Sequence, residues 1–188
     1  MDWLLPQAYL IALLVILGGA AVVVARQILR VRSDESSLIR LEERTKGKEP
    51  SPDDLYELGS VQLRKRLYGQ AASTLKLAAK QAQAEPAEAQ ALIQNALGFA
   101  LAAQSNYATA IRHYRSALKA KPDYPVALNN LAYALERQGQ PEEALSTYEK
   151  VLQLDGTNKT ARKRLKSLER KRGIPTAPIS GSESNGKT

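Results

Sequence analysis

The stretch NALGFALAAQSNYATAIRHYRSALKAKPDYPVALNNLAYALE, residues 95–136, decides the fold, because within it one pattern runs its course and starts again. Gly98, Ala110, Tyr114 and Ala117 are matched 34 residues later by Ala132, Ala144, Tyr148 and Val151, and Leu97 by Leu131. Upstream, Leu58-Gly59, Ala71, Leu75 and Ala78 keep the same internal spacing. Their offset is 39 residues rather than 34, so about five residues within 82–90 lengthen one connection. A period in the thirties with small residues at fixed places is that of a stacked helical hairpin. The small residue lets two helices approach, and the apolar positions fill the hairpin and its contact with the next.

These spacings resemble the tetratricopeptide repeat and predict an all-α solenoid of three hairpins at 52–85, 91–124 and 125–158, within residues 51–158. Turns are expected at Leu67-Tyr68-Gly69, Ser105-Asn106-Tyr107 and Gln138-Gly139-Gln140, with Pro122 and Pro141 where helices end or begin. An open stack leaves an apolar end, so residues 159–172 read as a capping helix that starts at Thr157 or Asn158 and buries Ala161, Leu165 and Leu168. Residues 173–188 read as a disordered tail.

Outside the repeats, 23 uncharged residues lie between Asp2 and Arg26, and AYLIALLVILGGAAVVVA (8–25) holds nothing more polar than tyrosine. At about 1.5 Å per residue this run spans roughly 34 Å, enough to cross a hydrocarbon core. Residues 1–30 therefore read as a transmembrane anchor with Trp3 and Tyr9 towards its outer end. A cleaved signal peptide is the rival reading, but Met-Asp supplies no basic leader and the apolar run exceeds the usual length. Arg26, Arg30 and Arg32 follow the span, which places the rest of the chain in the cytoplasm or its organellar equivalent. Residues 31–50 read as a juxtamembrane helix breaking into a linker at Gly47 and Pro50.

Composition narrows the chemistry. Alanine (28) and leucine (27) dominate the 188 residues and aromatics are 5 %, which favours helix throughout. There is no cysteine, which excludes disulfides, thiol catalysis and Cys-ligated metals. The single histidine, His113, reads as solvent-facing on the second helix of the middle repeat, with nothing to make it a base or a ligand. No phosphate loop occurs, and Gly59 and Gly98 read as packing positions. The expectation is a non-enzyme with no cofactor, metal or small-molecule substrate. The formal charge is +8, but residues 159–172 alone carry +7 and residues 50–158 sum to zero. A charge confined to one helix without interleaved aromatics gives no expectation of nucleic-acid binding.

The anchor YLIALLVILGG with RQILR, then YELGSVQLRKRLYGQA (56–71), residues 95–136 and the basic cap together resemble a particular family. These are the membrane-anchored tetratricopeptide proteins of cyanobacteria and plastids, the hypothetical chloroplast reading frame thirty-seven family, which assist photosystem I assembly. The resemblance covers residues 9–172. It implies an assembly factor in the thylakoid membrane that binds photosystem I subunits or assembly intermediates and holds lipid through its N-terminal helix. Leu101 and Ala102 depart from the family, whose members tend to be aromatic there. In this architecture the first helix of each hairpin lines a groove, here with Tyr56, Ser60 and Arg64, with Asn95 and Phe99, and with Asn129, Tyr133 and Arg137. Asparagine inside a helix costs several tenths of a kcal/mol, so a return is expected: hydrogen bonds to a ligand backbone, or equally bonds to neighbouring repeats. The carboxylate clamp of chaperone co-factors is absent, because its positions hold Tyr56, Ser60, Ala96, Val126 and Asn130. Lys159, Arg162, Lys163, Lys166 and Arg170 form a candidate anionic contact, with lipid preferred and a solvated surface as the plain alternative. Two other functions stay open: a receptor for targeting peptides or amphipathic helices, and a structural tether.

Overall fold

The computed structural model describes residues 4–46, 50–171 and 173, the side chains of 4–8 and 30–34 excepted. Trp3, the side chains of Arg30 and Arg32, Gly47 in the linker, Arg172 and the tail from Ile174 lie outside the described residues. The chain divides into two units, Met1–Lys48 and Glu49–Thr188.

In the first unit a single helix, α1 (Leu4–Lys46), runs for 43 residues. Pro6 sits in its first turn, where a missing N–H costs no hydrogen bond, and Gly18-Gly19 are spanned without a break. Its segment Tyr9–Leu29 has a mean hydropathy of 2.3 and is long and apolar enough to cross a membrane, about 31 Å of helix. Large apolar side chains there stand open, Leu14 at 68 % and Val15 at 69 % exposure. Beyond Leu29 the helix continues through the mixed-charge residues to Lys46, roughly 25 Å further.

The second unit is all helical among its described residues: α2 (Pro52–Arg64), α3 (Tyr68–Gln81), a 3-10 turn Ala82–Ala84, α4 (Ala87–Ala103), α5 (Tyr107–Ala120), α6 (Pro125–Arg137), α7 (Pro141–Leu154) and α8 (Lys159–Lys171). Consecutive helices pack in pairs, and three hairpins, α2–α3, α4–α5 and α6–α7, stack into a solenoid closed by α8. Successive first helices also touch, α2 with α4 and α4 with α6, so they line the inner face.

Close approach within a hairpin explains the small residues. A Cβ on Gly59 would lie 2.6 Å from Cγ of Leu75, and one on Gly98 would lie 2.7 Å from Cε1 of Tyr114. Tyr114 and Tyr148 are each 1 % exposed, and burying an aromatic of that size contributes on the order of 2 kcal/mol. Burial also pushes both phenols well above their ordinary pKa.

The turns share one backbone device. Arg66 (φ 60°), Ser105 (φ 63°) and Gly139 (φ 78°) occupy the equivalent left-handed position in the three hairpins. This corrects the turn expected at Leu67-Tyr68-Gly69: the chain turns at Lys65-Arg66-Leu67, and Gly69 lies inside α3. In the second hairpin the turn starts one residue early, at Gln104, and in the third it falls at 138–140. The five extra residues of the first connection form the 3-10 turn and an added turn at the start of α4, pinned where Gln90 Nε2 donates to the Glu85 carbonyl at 2.8 Å.

Asn158 caps α8, its Oδ1 accepting from the Ala161 amide at 3.0 Å. Asp155 in turn accepts from Thr157 Oγ1 at 2.7 Å and Asn158 Nδ2 at 3.1 Å, which holds its carboxyl below the usual value. Ala161, Leu165 and Leu168 are buried against the last hairpin, in one core cluster with Leu135, Tyr148 and Val151.

Candidate functional site

The inner face is built by α2, α4 and α6, whose residues four and seven apart share one side of each helix. Tyr56, Ser60, Asn95, Asn129 and Tyr133 are half-buried, Arg64 and Arg137 are exposed, and Phe99 is exposed at 43 %. Val126, at the start of α6, is exposed at 55 %. An open phenylalanine and valine on a concave face are apolar surface available for a partner to cover.

The candidate residues gather into two clusters rather than one even row. In the first, Asn95 Oδ1 accepts from Asn130 Nδ2 at 3.0 Å, and Asn95 Nδ2 points to Tyr124 Oη at 3.4 Å. The amide of Asn95 is thus turned towards the following repeat. Burial, with help from the Tyr56 hydroxyl, raises the Tyr124 phenol, while Lys121 and Asn95 act the other way. Lys121 also lies 5.7 Å from the Tyr124 ring and pairs with Glu88, lowering that carboxyl.

In the second cluster Tyr107 and Tyr133 meet edge to face at 6.4 Å. Arg137 covers the Tyr107 ring at 5.4 Å, and Arg164, reaching in from α8, covers Tyr133 at 5.1 Å. Arg164 also binds Glu136 Oε1 at 3.4 Å. Two buried acceptors on α6 are left without a partner among the described residues, Asn129 Oδ1 and Glu136 Oε2. They stand seven residues apart with Tyr133 between them, on the groove side of one helix. An unsatisfied buried acceptor costs about 1–3 kcal/mol, and both lie on the helix that carries Tyr133 and Arg137.

Sequence reasoning missed Tyr107, Tyr124, Asn130 as a groove partner and Arg164. Each reaches the site from another helix, a connection or the cap, so its role depends on a contact between segments 26 to 35 residues apart. Arg164 carried one visible signal: in α8 it lies off the stripe formed by Lys159, Lys163, Lys166 and Arg170.

His113 corrects its expected position. It is half-buried rather than solvent-facing, with Nδ1 2.8 Å from Oε1 of Gln94, within hydrogen-bond reach. Burial first, then Arg112 and Lys76, lower its pKa, and the ring is neutral at pH 7. It holds α5 to α4. Among the described residues no three His, Cys, Asp or Glu side chains gather as a metal site.

On the opposite face, a cleft of about 550 Å³ lies between α5 and α7 over Leu118, Leu128 and Leu154, bridged by Arg115 and Glu143 at 2.6 Å.

Stacked hairpins with paired small residues, a concave face of first helices and a terminal cap define a tetratricopeptide-repeat protein-interaction scaffold. The tetratricopeptide repeat family model matches residues 101–168. The solved structure of MamA superposes with a TM-score of 0.70 at 19 % identity, covering 77 % of this chain and 82 % of that one. The first such domain of Spaghetti (RPAP3), bound to an HSP90 peptide, gives 0.60 at 21 % identity, covering 65 % and 94 %. At these identities the likeness is one of fold.

Among relatives, the ycf37 protein of Guillardia theta is 30 % identical over 168 residues, 89 % of this chain and 94 % of its own length. That of Cyanophora paradoxa is 29 % identical over 90 % of this chain and 98 % of its own. The chain belongs to the ycf37 family. The chloroplastic tetratricopeptide repeat domain-containing protein PYG7 of Arabidopsis thaliana is 33 % identical over 86 % of this chain, which spans 54 % of that longer relative.

Proposed function

We propose that the protein is a membrane-anchored scaffold, without catalytic activity, that binds a protein partner in the concave groove and helps photosystem I assemble. Its placement is the thylakoid membrane, with the solenoid on the cytoplasmic or stromal side. The observation that carries the binding reading is the inner face of α6. There an exposed Val126, the Tyr133 ring and two partnerless acceptors lie along one helix. Rotating the Asn129 amide to meet a backbone N–H would recover what its burial costs. The photosystem I assignment rests on the resemblance of residues 9–172 to the plastid and cyanobacterial family, and the membrane placement on Tyr9–Leu29 with Arg26, Arg30 and Arg32 gathered at its C-terminal end.

The test is native co-purification from membranes. The double change Asn129→Ala with Tyr133→Ala is expected to keep helix content and membrane insertion. It should lower recovery of photosystem I subunits about tenfold or more, as loss of an aromatic anchor does. Normal recovery with normal protein abundance would refute the groove, and precursor peptides recovered instead would establish a targeting receptor.

A further inference from the structure

The groove leaves the outer face of α8 unused, and the structure arranges that face with more order than its charge alone requires. Lys159, Lys163, Lys166 and Arg170 follow one another at helical spacing of four, three and four residues, with Arg162 beside them, and all five are exposed. They occupy an arc of about 100° and a length of about 17 Å. Ala161, Leu165 and Leu168 occupy the opposite side and fix α8 against the last hairpin, so the stripe is held facing away from the core. Arg164, by contrast, is turned into the groove and spent on Glu136 and Tyr133. Lys159, Lys163, Lys166 and Arg170 make no ion pair or side-chain hydrogen bond with another described residue, and Arg162 binds only the Gly156 carbonyl, at 2.6 Å.

We propose that this stripe docks the solenoid on the anionic headgroups of the membrane its own chain spans. The inference rests on the membrane placement proposed above and not on the groove. Three observations select lipid over another polyanion. A helix long and apolar enough to cross a membrane belongs to the same chain, so tethering keeps the local concentration of headgroups high. The stripe carries no aromatic side chain on which a nucleotide base would stack. Its cations share one face along a single helix, an arrangement that a flat sheet of charge can meet along its whole length. Each cation near an anionic surface adds to docking, so removing three reduces the docked-to-free ratio on the order of a hundredfold.

The cysteine-free sequence makes the test direct. Thr160, exposed beside the stripe, is changed in the full chain by Thr160→Cys, labelled with a fluorophore, and the protein is reconstituted in nanodiscs bearing a headgroup dye. Energy transfer should be strong in discs of phosphatidylcholine mixed with phosphatidylglycerol and weak in phosphatidylcholine alone. High salt, or the triple change Lys163→Gln, Lys166→Gln, Arg170→Gln, should abolish it, whereas Tyr133→Ala should leave it unchanged. Equal transfer in both discs, or transfer that survives the triple change, overturns the proposal while leaving the anchor intact. Failure of the chain to enter discs overturns both. Stripe-dependent binding of single-stranded RNA or an acidic peptide by the detergent-solubilised chain, without a lipid effect, reassigns the face to that partner.

Discussion

Single side chains set the spacing of the solenoid. Gly98 faces the Tyr114 ring so closely that Gly98→Ala forces the ring or the helix to move, at about 1–3 kcal/mol. The better helix propensity of alanine returns about 1 kcal/mol. A net loss of stability near 1 kcal/mol is expected, read as a lower thermal midpoint of residues 50–172. The turns give the opposite sign. Ser105 holds φ at 63° where Gly139 sits at 78° in the next hairpin, so Ser105→Gly should stabilise by about 0.5–1 kcal/mol in the same measurement. A third residue-scale expectation concerns Asp155, whose carboxyl is held low by Thr157 and Asn158. A carboxyl depressed on folding stabilises above its unfolded value and loses that contribution as the pH falls through the folded one. The cap should therefore loosen as the pH drops below about 3.8, and Asp155→Asn should remove this part of the acid dependence.

At the scale of elements, the period of 34 residues exposed the hairpins because paired small and large residues repeat wherever two helices cross. What the sequence concealed was local. Gly69 drew the first turn towards itself, yet the left-handed position falls on Arg66, the place that Ser105 and Gly139 hold in the other two hairpins. The long first connection gave no sign that it would coil into an added turn of α4. In the groove, the positions on α2, α4 and α6 were legible from helical spacing alone. The rings and guanidinium that close its far end were not, since Tyr107 and Arg164 arrive from other segments and their pairing with Tyr133 depends on how neighbouring elements stack. The cap makes the element-scale prediction. Deleting residues 159–172 would uncover Leu135, Tyr148 and Val151, so the truncated domain should associate and melt earlier, by light scattering and circular dichroism. A monomer of unchanged stability would show that α8 is not a cap.

For the whole molecule, the membrane helix and the solenoid make separable statements. The chain should resist alkaline extraction, and protease added from the lumenal side should spare residues 33–188, because the arginines follow the span. Digestion from that side would reverse the orientation. The contacts between helices described above also bear on how the protein comes into being. Within the second unit each helix from α3 onward packs on the one before it, and few contacts reach past the next hairpin. Such low contact order gives fast folding and requires no late segment to complete an early one. On the ribosome, α2 and α3 can pair while α6 is still being synthesised, after the anchoring helix has already emerged. The solenoid is thus assembled in the order of its translation, and only the final helix, arriving last, closes the apolar end that each unfinished stack leaves open.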